Sequence, residues 1–219
     1  MTPQIPFIPG QPFTTAEAIR AGLSHRTLAA ATAAGQLVKS RHGWFHLPAP
    51  GESGIQAAVR ASKIALAEGP ADAVISHHTA AELHGLPLVR ARANRAHLTV
   101  DRPTGGRNAA HVQIHTSPAN SLSITEVEGI PVTSIDRTIV DLARSAGFDA
   151  GVCAADHALR SELATRRSLM DELELHRGRT GVAIARDAIN FADPLAESPG
   201  ESLSRCVMRS LGTIPIPRL

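Results

Sequence analysis

The sequence lacks long apolar runs, is sparing with cysteine, and carries almost no excess of positive charge. No run approaches the roughly 18 residues that a membrane-spanning helix needs, and four prolines interrupt the N-terminal MTPQIPFIPGQPF, which excludes a signal peptide. The two cysteines, Cys153 and Cys206, lie far apart inside helical patterns without a CxxC partner, as small apolar fillers do. We therefore expect a soluble cytoplasmic protein in a reducing compartment.

The formal net charge is only +2, so no global basic field indicates a nucleic-acid partner. The positive charge is nevertheless concentrated in two segments of the chain. Residues 1–47 hold four Lys or Arg against one acidic residue, and residues 90–115 hold five against one. Residues 116–219 hold eleven against fourteen. With 219 residues and 43% hydrophobic content, the chain can form one large or two small domains with real cores.

Capping signals near the N-terminus predict two short helices. Thr14 precedes AEAIRAG with Glu17 three residues further on, as in a capping box, and Ser24 caps the following HRTLAAATAA. Then come LVKSR, a His-Gly turn and WFHL, which predict a hairpin. The order helix, turn, helix, hairpin is typical of a winged helix-turn-helix, which we assign to residues 10–48.

The rest of the chain predicts an α+β fold, with the winged helix-turn-helix followed by an α/β domain over residues 55–147. Pro48 to Gly54 is rich in proline and glycine and marks a domain boundary. Alternation and turns predict strands of a small mixed sheet in AVIS, HLTV, VQIH and ITEVEGIPVTS. Residues 148–219 are predominantly helical in pattern and form a helical extension.

A DNA-binding interpretation places the contacts on the second helix and the wing. In a helix-turn-helix the N-terminal residues of the second helix meet base edges, and the wing touches phosphates. Arg26 is suited to a bidentate contact with guanine, Ser24 and Thr27 to hydrogen bonds with phosphate, and Lys39 and Arg41 to neutralising charge along the DNA backbone. The predicted contacts are Ser24, His25, Arg26, Thr27, Lys39, Arg41 and His42. The alternative is a solvated polar face, because many winged helices bind protein.

Three alanines weaken this predicted interface. Ala29, Ala30 and Ala33 occupy outward positions of the second helix, where a strong DNA reader often carries a long polar side chain. We therefore expect one DNA-binding domain to bind a half-site with modest, strongly salt-dependent affinity. A specific complex should need two such domains, from a dimer or from paired sites.

A second basic cluster surrounds the HLTV strand. It either extends the phosphate contact, meets an RNA-like or acidic partner, or is an exposed loop with ordinary solubilising charge. Its members are Arg90, Arg92, Arg95, Arg102 and Arg107.

No pattern in the sequence indicates catalysis, a metal or a cofactor, so we do not predict an enzyme. None of the eleven histidines lies in an HExxH motif, and adjacent His77 and His78 cannot both face one ion without distortion. Asp136 and Asp141 lie about 140 degrees apart around a helix and do not form a carboxylate pair.

Three segments in order, FTTAEAIRAGLSHRTLAAATAAGQLVKSRHGWFHL, AVISHHTAAELHGL and EGIPVTSIDRTIVDLA, resemble the AbiEi-type antitoxin and transcriptional-regulator family in its long form from high-GC bacteria. The resemblance implies a DNA-binding regulator of a type IV toxin-antitoxin system that represses its own operon on double-stranded DNA. It also implies a nucleotidyltransferase-like toxin as partner, and a homodimer fits the expected two DNA-binding domains.

Long relatives continue from a segment like ESPGESLSRCVMRSLG into a Vsr-like nuclease-type domain, whereas this chain stops before those strands. The resemblance thus implies a truncated nuclease-type domain after residue 148, in which Glu201 lacks acidic partners. We expect its helix, about Pro199 to Leu211, to be frayed or buried against a partner. Two alternatives stay open: a truncated nuclease-family protein without its catalytic core, and a protein-binding antitoxin that does not bind DNA.

Overall fold

The computed structural model describes residues 5–89, 95–109, 111–118 and 121–213. The chain forms two compact units, residues 1–68 and 69–219. The protein is of mixed α and β structure, as predicted, and its second unit contains a six-stranded mixed sheet. No helix in the described ranges is long and apolar enough to cross a membrane.

The first unit contains two short helices, a small sheet and a longer helix. Its elements are β1 (Phe13–Thr14), α1 (Thr15–Arg20), α2 (His25–Ala33), β2 (Val38–Arg41), β3 (Trp44–His46) and α3 (Gly54–Glu68). The caps are those predicted from the sequence. Thr14 and Glu17 form a capping box at α1, and the Ser24 side chain accepts a hydrogen bond from the Thr27 amide at α2.

The small sheet is antiparallel, in the order β1-β3-β2. The predicted hairpin is present, with Gly43 at φ +79° in its turn. Strand β1 was not predicted, because two residues are too short to show alternation. Its pairing with β3 places Phe13 in the core of the unit, which also contains Ala18, Leu23, Leu28, Ala31 and Leu37.

The second unit begins with β4 (Ala73–Ile75) and α4 (His77–Leu83). Five further strands follow: β5 (Ala96–Val100), β6 (Arg107–Asn108), β7 (Val112–Thr116), β8 (Ile124–Val127) and β9 (Ile130–Thr133). Five helices complete the described part: α5 (Ile135–Ala146), α6 (Phe148–Arg160), α7 (Arg166–Leu175), α8 (Val182–Phe191) and α9 (Pro199–Ser210).

The six strands are arranged in the order β6-β7-β5-β4-β9-β8. The pairs β5–β7 and β4–β9 are parallel and the other pairs antiparallel, so the sheet is mixed. All strands predicted from alternation are present. The short edge strand β6 was not predicted.

Alanine-rich helices form the core of the second unit. Helices α5 and α6 approach closely at Gly151, where a Cβ would lie 2.5 Å from the Cβ of Ala143. Larger side chains on α7 and α8, including Leu169, Leu173 and Ile189, fill the space around them. Helices α5 and α6 therefore share one core, although the boundary drawn from the sequence at residue 148 separates them. The two units divide after Glu68, so α3 belongs to the first unit and not to the domain that the sequence predicts over residues 55–147.

Of the two outcomes predicted for the last helix, fraying was wrong, whereas burial against a partner stays a prediction. Helix α9 is regular and packs against α6 within its own unit, burying Ser202 and Cys206. Polar and charged side chains of α9 contact both α6 and α8. Ser202 Oγ donates to Asp156 Oδ2 at 2.7 Å, and the Arg205 guanidinium lies 4.7 Å from the centre of the Phe191 ring. Because these contacts involve polar and charged side chains, hydrophobic periodicity alone does not predict them.

Candidate functional site

The first turn of α2 presents the residues predicted to contact DNA. His25 and Arg26 are exposed, and Thr27 is half-buried. The Ser24 hydroxyl is hydrogen-bonded to the Thr27 hydroxyl at 2.9 Å, in addition to its bond from the Thr27 amide. Ser24 and Thr27 therefore build the helix end, whereas His25 and Arg26 point into solvent.

The structure confirms the predicted orientation of the rest of α2. Leu28 and Ala31 face the core, while Ala29, Ala30 and Ala33 are exposed. The outward surface of the helix is thus small and apolar beyond its first turn.

The hairpin carries the remaining predicted contacts. Lys39 and His42 are exposed, but Arg41 forms an ion pair with Glu68 at 2.6 Å. The same carboxylate accepts a hydrogen bond from Trp44 Nε1 at 2.8 Å. Glu68 therefore offsets the positive charge of Arg41, which the sequence analysis expected to face phosphate. This ion pair joins β2 to the end of α3, and the sequence alone does not show it.

The second arginine cluster is only partly described. Arg90 and Arg92 lie outside the described residues. Arg95 and Arg107 are exposed, the latter on edge strand β6. Arg102 is 3.7 Å from Asp72, in a pair of which both side chains are about half exposed, so this contact is weak.

A cluster of histidines that the sequence analysis did not assign lies in the second unit. His77 begins α4, and His97 and His115 lie on the adjacent parallel strands β5 and β7. In this register His115 is opposite Thr99, two residues after His97, so both histidines are on one face of the sheet. The start of α4 is held above them, because the Ser76 amide donates to His97 O and the His97 amide donates to Thr79 Oγ1, each at 2.9 Å.

The three imidazoles are in mutual contact. Their candidate ligand nitrogens all lie within 4.8 Å of one another. His97 Nδ1 and His115 Nε2 are 3.0 Å apart, and the rings of His77 and His115 are stacked with centroids 3.7 Å apart. His78 lies against His97, with ring centroids 5.0 Å apart, and its Nδ1 is buried without a hydrogen-bond partner among the described residues.

Burial keeps these imidazoles uncharged. It lowers the pKa of His97 to about 4, with further contributions from His115 and His78. Burial likewise lowers the pKa of His115 to about 4, although the Asp141 carboxylate opposes this shift. The pKa of His77 lies well below 6.5 for the same first reason. At neutral pH the cluster therefore offers nitrogen lone pairs and no positive charge.

A polar cavity of about 240 Å³ adjoins the cluster. Asp141 is fully buried there between two guanidinium groups, at 2.8 Å from Arg137 Nε and 3.0 Å from Arg144 Nη1. A third guanidinium, that of Arg179, donates to Thr116 O, and its Nη1 is buried without a partner in the described ranges. The charged and titratable residues that line the cavity are His77, His115, Arg137, Asp141, Arg144 and Arg179.

Sequence reasoning missed this region because its residues come from distant segments. The alternation of HLTV and VQIH placed His97 and His115 on strands. The parallel pairing of β5 with β7, which brings the two histidines together, has no local signal. The expectation that His77 and His78 do not both face one ion stays a prediction. His77 belongs to the group of three ligand candidates, whereas His78 packs against His97.

Comparisons with known proteins identify relatives of unknown function. No family model matches the chain. The uncharacterised proteins MT2308 and Rv2248, from two strains of Mycobacterium tuberculosis, are each 35% identical to it over 96 residues. These alignments cover 44% of this chain and 35% of each relative, so the match spans about a third of the relatives' length.

A solved structure shares the fold. The crystal structure of the RV2827C protein from Mycobacterium tuberculosis superimposes with a TM-score of 0.51 and covers 89% of this chain and 75% of that chain. The sequence identity is 19%, so the likeness shows the fold alone.

Proposed function

We propose that this protein is a DNA-binding transcriptional regulator of the antitoxin type, in which residues 10–48 act as a winged helix-turn-helix. In this proposal the first turn of α2 enters the major groove and the β2–β3 hairpin lies along the phosphates. Arg26 reads a base and Lys39 neutralises a phosphate. The antitoxin role, repression of the protein's own operon and a nucleotidyltransferase-like toxin as partner rest on the family resemblance.

The observation that supports this function best is that, within the described ranges, the acidic side chains of the first unit have partners, whereas two basic side chains on α2 and the hairpin do not. Arg26 and Lys39 are exposed and make no side-chain hydrogen bond or ion pair with the described residues. The acidic side chains are instead occupied: Glu17 by the Thr14 cap, Glu52 by Arg60, and Glu68 by Arg41 and Trp44. The unpaired charge on α2 and the hairpin is therefore positive, as a phosphate-binding surface requires.

The same surface sets the expected strength of binding. With three exposed alanines on α2 and Arg41 paired to Glu68, few side chains remain for base contacts. A single DNA-binding domain should therefore have modest affinity for DNA. Most of that affinity should come from phosphate contacts and should depend steeply on salt. Paired sites or a dimer would supply the specificity.

A gel-shift titration with the DNA upstream of the protein's own gene tests the proposal. We expect a shift that prefers this DNA over a scrambled duplex at low salt and weakens at moderate salt. Arg26→Ala should weaken binding and relax sequence preference, whereas Lys39→Ala should weaken all sequences equally and reduce the salt slope by about one.

Arg167→Ala is the matched control, because it removes one arginine charge from a side chain that is 91% exposed in the other unit. It should leave the titration unchanged. A shift without sequence preference, or equal losses for Arg26→Ala and Arg167→Ala, contradicts the proposal. Copurification with the product of the neighbouring gene tests the antitoxin role separately.

A further inference from the structure

The histidine cluster has the composition of a metal site. It contains three imidazoles and, in the group whose nitrogens lie within 4.8 Å, no thiol or carboxylate. We propose that His77, His97 and His115 bind one divalent transition-metal ion, with Zn²⁺ as the expected occupant. This inference is independent of DNA binding, because it concerns the second unit and has its own test.

The three ligands come from separate elements that the fold brings together. Helix α4 provides His77, β5 provides His97 and β7 provides His115. The parallel β5–β7 pairing and the hydrogen bonds from the Ser76 and His97 amides fix the backbone of all three. A site formed on paired strands and a helix start is held more firmly than a loop site.

The distances between the three ligand nitrogens are close to those expected around one ion. Zinc binds imidazole nitrogen at about 2.0–2.1 Å, so two ligands at a tetrahedral angle lie about 3.3 Å apart. His97 Nδ1 and His115 Nε2 are already 3.0 Å apart, and the widest separation in the cluster is at most 4.8 Å. The third ligand nitrogen, on His77, lies within 4.8 Å of the other two.

His77 is oriented by a hydroxyl pair behind it. Its Nδ1 is 3.0 Å from Ser76 Oγ, which accepts a hydrogen bond from Thr99 Oγ1 at 2.8 Å. When Nδ1 donates to Ser76, the Nε2 lone pair is free for a metal, and such outer contacts are characteristic of metal-binding histidines. Ser76 stands at the N-cap of α4 but makes no side-chain cap hydrogen bond.

The backbone at His77 is a second, independent sign of a functional constraint. His77 has φ +51°, in the left-handed region that a residue with a side chain rarely adopts. Strain of this kind persists where the surroundings hold it in place, and it is concentrated at binding and catalytic sites.

The donor set decides the class of metal. Neutral imidazoles favour Zn²⁺, Cu²⁺ and Ni²⁺ over Mg²⁺ and Ca²⁺, which prefer oxygen. Three protein ligands leave a fourth position, as in open zinc sites. The cavity of about 240 Å³ beside His77 and His115 provides room for a water or anion in that position.

The test uses the full chain without an affinity tag, stripped of metal with a chelator that is then removed. Titration with Zn²⁺ against a chromophoric chelator should give one site per chain with a dissociation constant in or below the micromolar range. Co²⁺ should give the strong visible absorption of four-coordinate Co²⁺, and Mg²⁺ should not compete.

Two ligand variants and one positioning variant test the site. His97→Ala and His115→Ala should each reduce Zn²⁺ affinity by on the order of 100-fold or more, and Ser76→Ala, a positioning change, by about 10–100-fold. His111→Ala removes an exposed histidine outside the cluster and is the matched control, so it should bind as wild type does. Circular dichroism reports whether each variant is folded.

Two results overturn the proposal: wild-type protein without a single tight Zn²⁺ site, or affinity that is the same in His97→Ala, His115→Ala and His111→Ala. Should the cluster variants unfold, anomalous diffraction at the zinc edge from wild-type crystals decides. Density for zinc among the three imidazoles supports the site, and zinc found only elsewhere overturns it.

Discussion

Arg137 Nε donates to Asp141 Oδ2 at 2.8 Å across one turn of α5, and both side chains are only 1% exposed. The same guanidinium donates to Ser121 O and Ser117 Oγ, so α5 is tied to the segment that follows β7. Arg144 donates to the other carboxylate oxygen of Asp141 at 3.0 Å. One buried carboxylate therefore balances two guanidinium groups beside the cavity.

Removal of this carboxylate should destabilise the second unit strongly. Asp141→Ala leaves the buried Arg137 with only the more distant Glu172 carboxylate, 3.9 Å from its Nη1, and we expect a loss of about 3–5 kcal/mol in the free energy of unfolding. Urea unfolding followed by far-ultraviolet circular dichroism measures it.

Two further variants control this prediction. Asp171→Ala removes a carboxylate that is 74% exposed, and it should cost less than about 0.5 kcal/mol. The double change Arg137→Met and Asp141→Leu should be less damaging than Asp141→Ala, because the fully buried Arg137 charge is removed with its partner and only Arg144, whose side chain is 13% exposed, loses a carboxylate. Equal losses for Asp141→Ala and Asp171→Ala would show that the buried pair does not matter.

Neutralising Glu68 should strengthen DNA binding if the hairpin contacts phosphate. Glu68→Gln removes the charge that pairs with Arg41 but keeps an oxygen acceptor for Trp44 Nε1. The released Arg41 should add about one to the slope of log affinity against log salt, measured by gel shift.

Glu52→Gln is its matched control, because it makes the same charge change at the Arg60 pair of the same unit. An equal gain from both variants would mean that total charge, and not the release of Arg41, is responsible.

Both cysteines should resist thiol reagents in the folded protein. Cys153 and Cys206 are 1% and 5% exposed. Burial, followed by the charge of Asp156, raises the pKa of Cys153 to about 11, and burial raises the pKa of Cys206 to about 12. Labelling with a disulfide reagent at pH 8 should therefore be slow in buffer and rapid in urea. Rapid labelling of the native protein would contradict the packing of α9 on α6.

The same shifts predict a loss of stability in alkali. Unfolded thiols lose their protons near pH 9, whereas the folded thiols keep theirs to about pH 11 or above. The unfolded state thus binds fewer protons in this window, and the free energy of unfolding falls as the pH rises from 9 to 11. Urea midpoints across this range measure the fall, which Cys153→Ala with Cys206→Ala should reduce.

The capping box at α1 should contribute about 1 kcal/mol. Thr14→Ala removes the acceptor for the Glu17 amide at 3.1 Å and one donor to the Glu17 carboxylate. Trp44 is the single tryptophan, so its fluorescence during urea unfolding reports on the first unit. Thr15→Ala, at the adjacent threonine, should cost less. Indistinguishable midpoints would contradict the prediction.

This cap should also give the first unit an acid-dependent contribution. Hydrogen bonds from Thr14 lower the pKa of Glu17 below its usual 4.5. The folded state therefore favours the ionised carboxylate, and this stability is present above pH 4.5 and lost as the pH falls below it. In Thr14→Ala the difference from wild type should shrink at lower pH, measured from the same fluorescence midpoints.

Local signals predicted most secondary structure correctly. The Thr14 and Ser24 caps, the His42-Gly43 turn and the Glu128-Gly129 turn act within a few residues, so the sequence contains their whole cause. The two-residue strands β1 and β6 were not predicted, because their pairing partners, and not their own residues, make them strands.

The candidate DNA surface was predicted only in part. Exposure of His25, Arg26 and Lys39 follows from helical and strand periodicity, which places the apolar residues inside. The Glu68 pair of Arg41 depends on where α3 ends relative to β2, which no local pattern specifies.

The sequence by itself determined the caps, turns, strand alternation and the concentration of basic charge near the N-terminus, because these arise among residues a few positions apart. Tertiary structure decided which polar residues meet. Parallel pairing of β5 with β7, and the placement of α4 above them, brought His77, His97 and His115 within 4.8 Å. Contacts between distant segments depend on strand order and register, which are set by the packing of the whole unit.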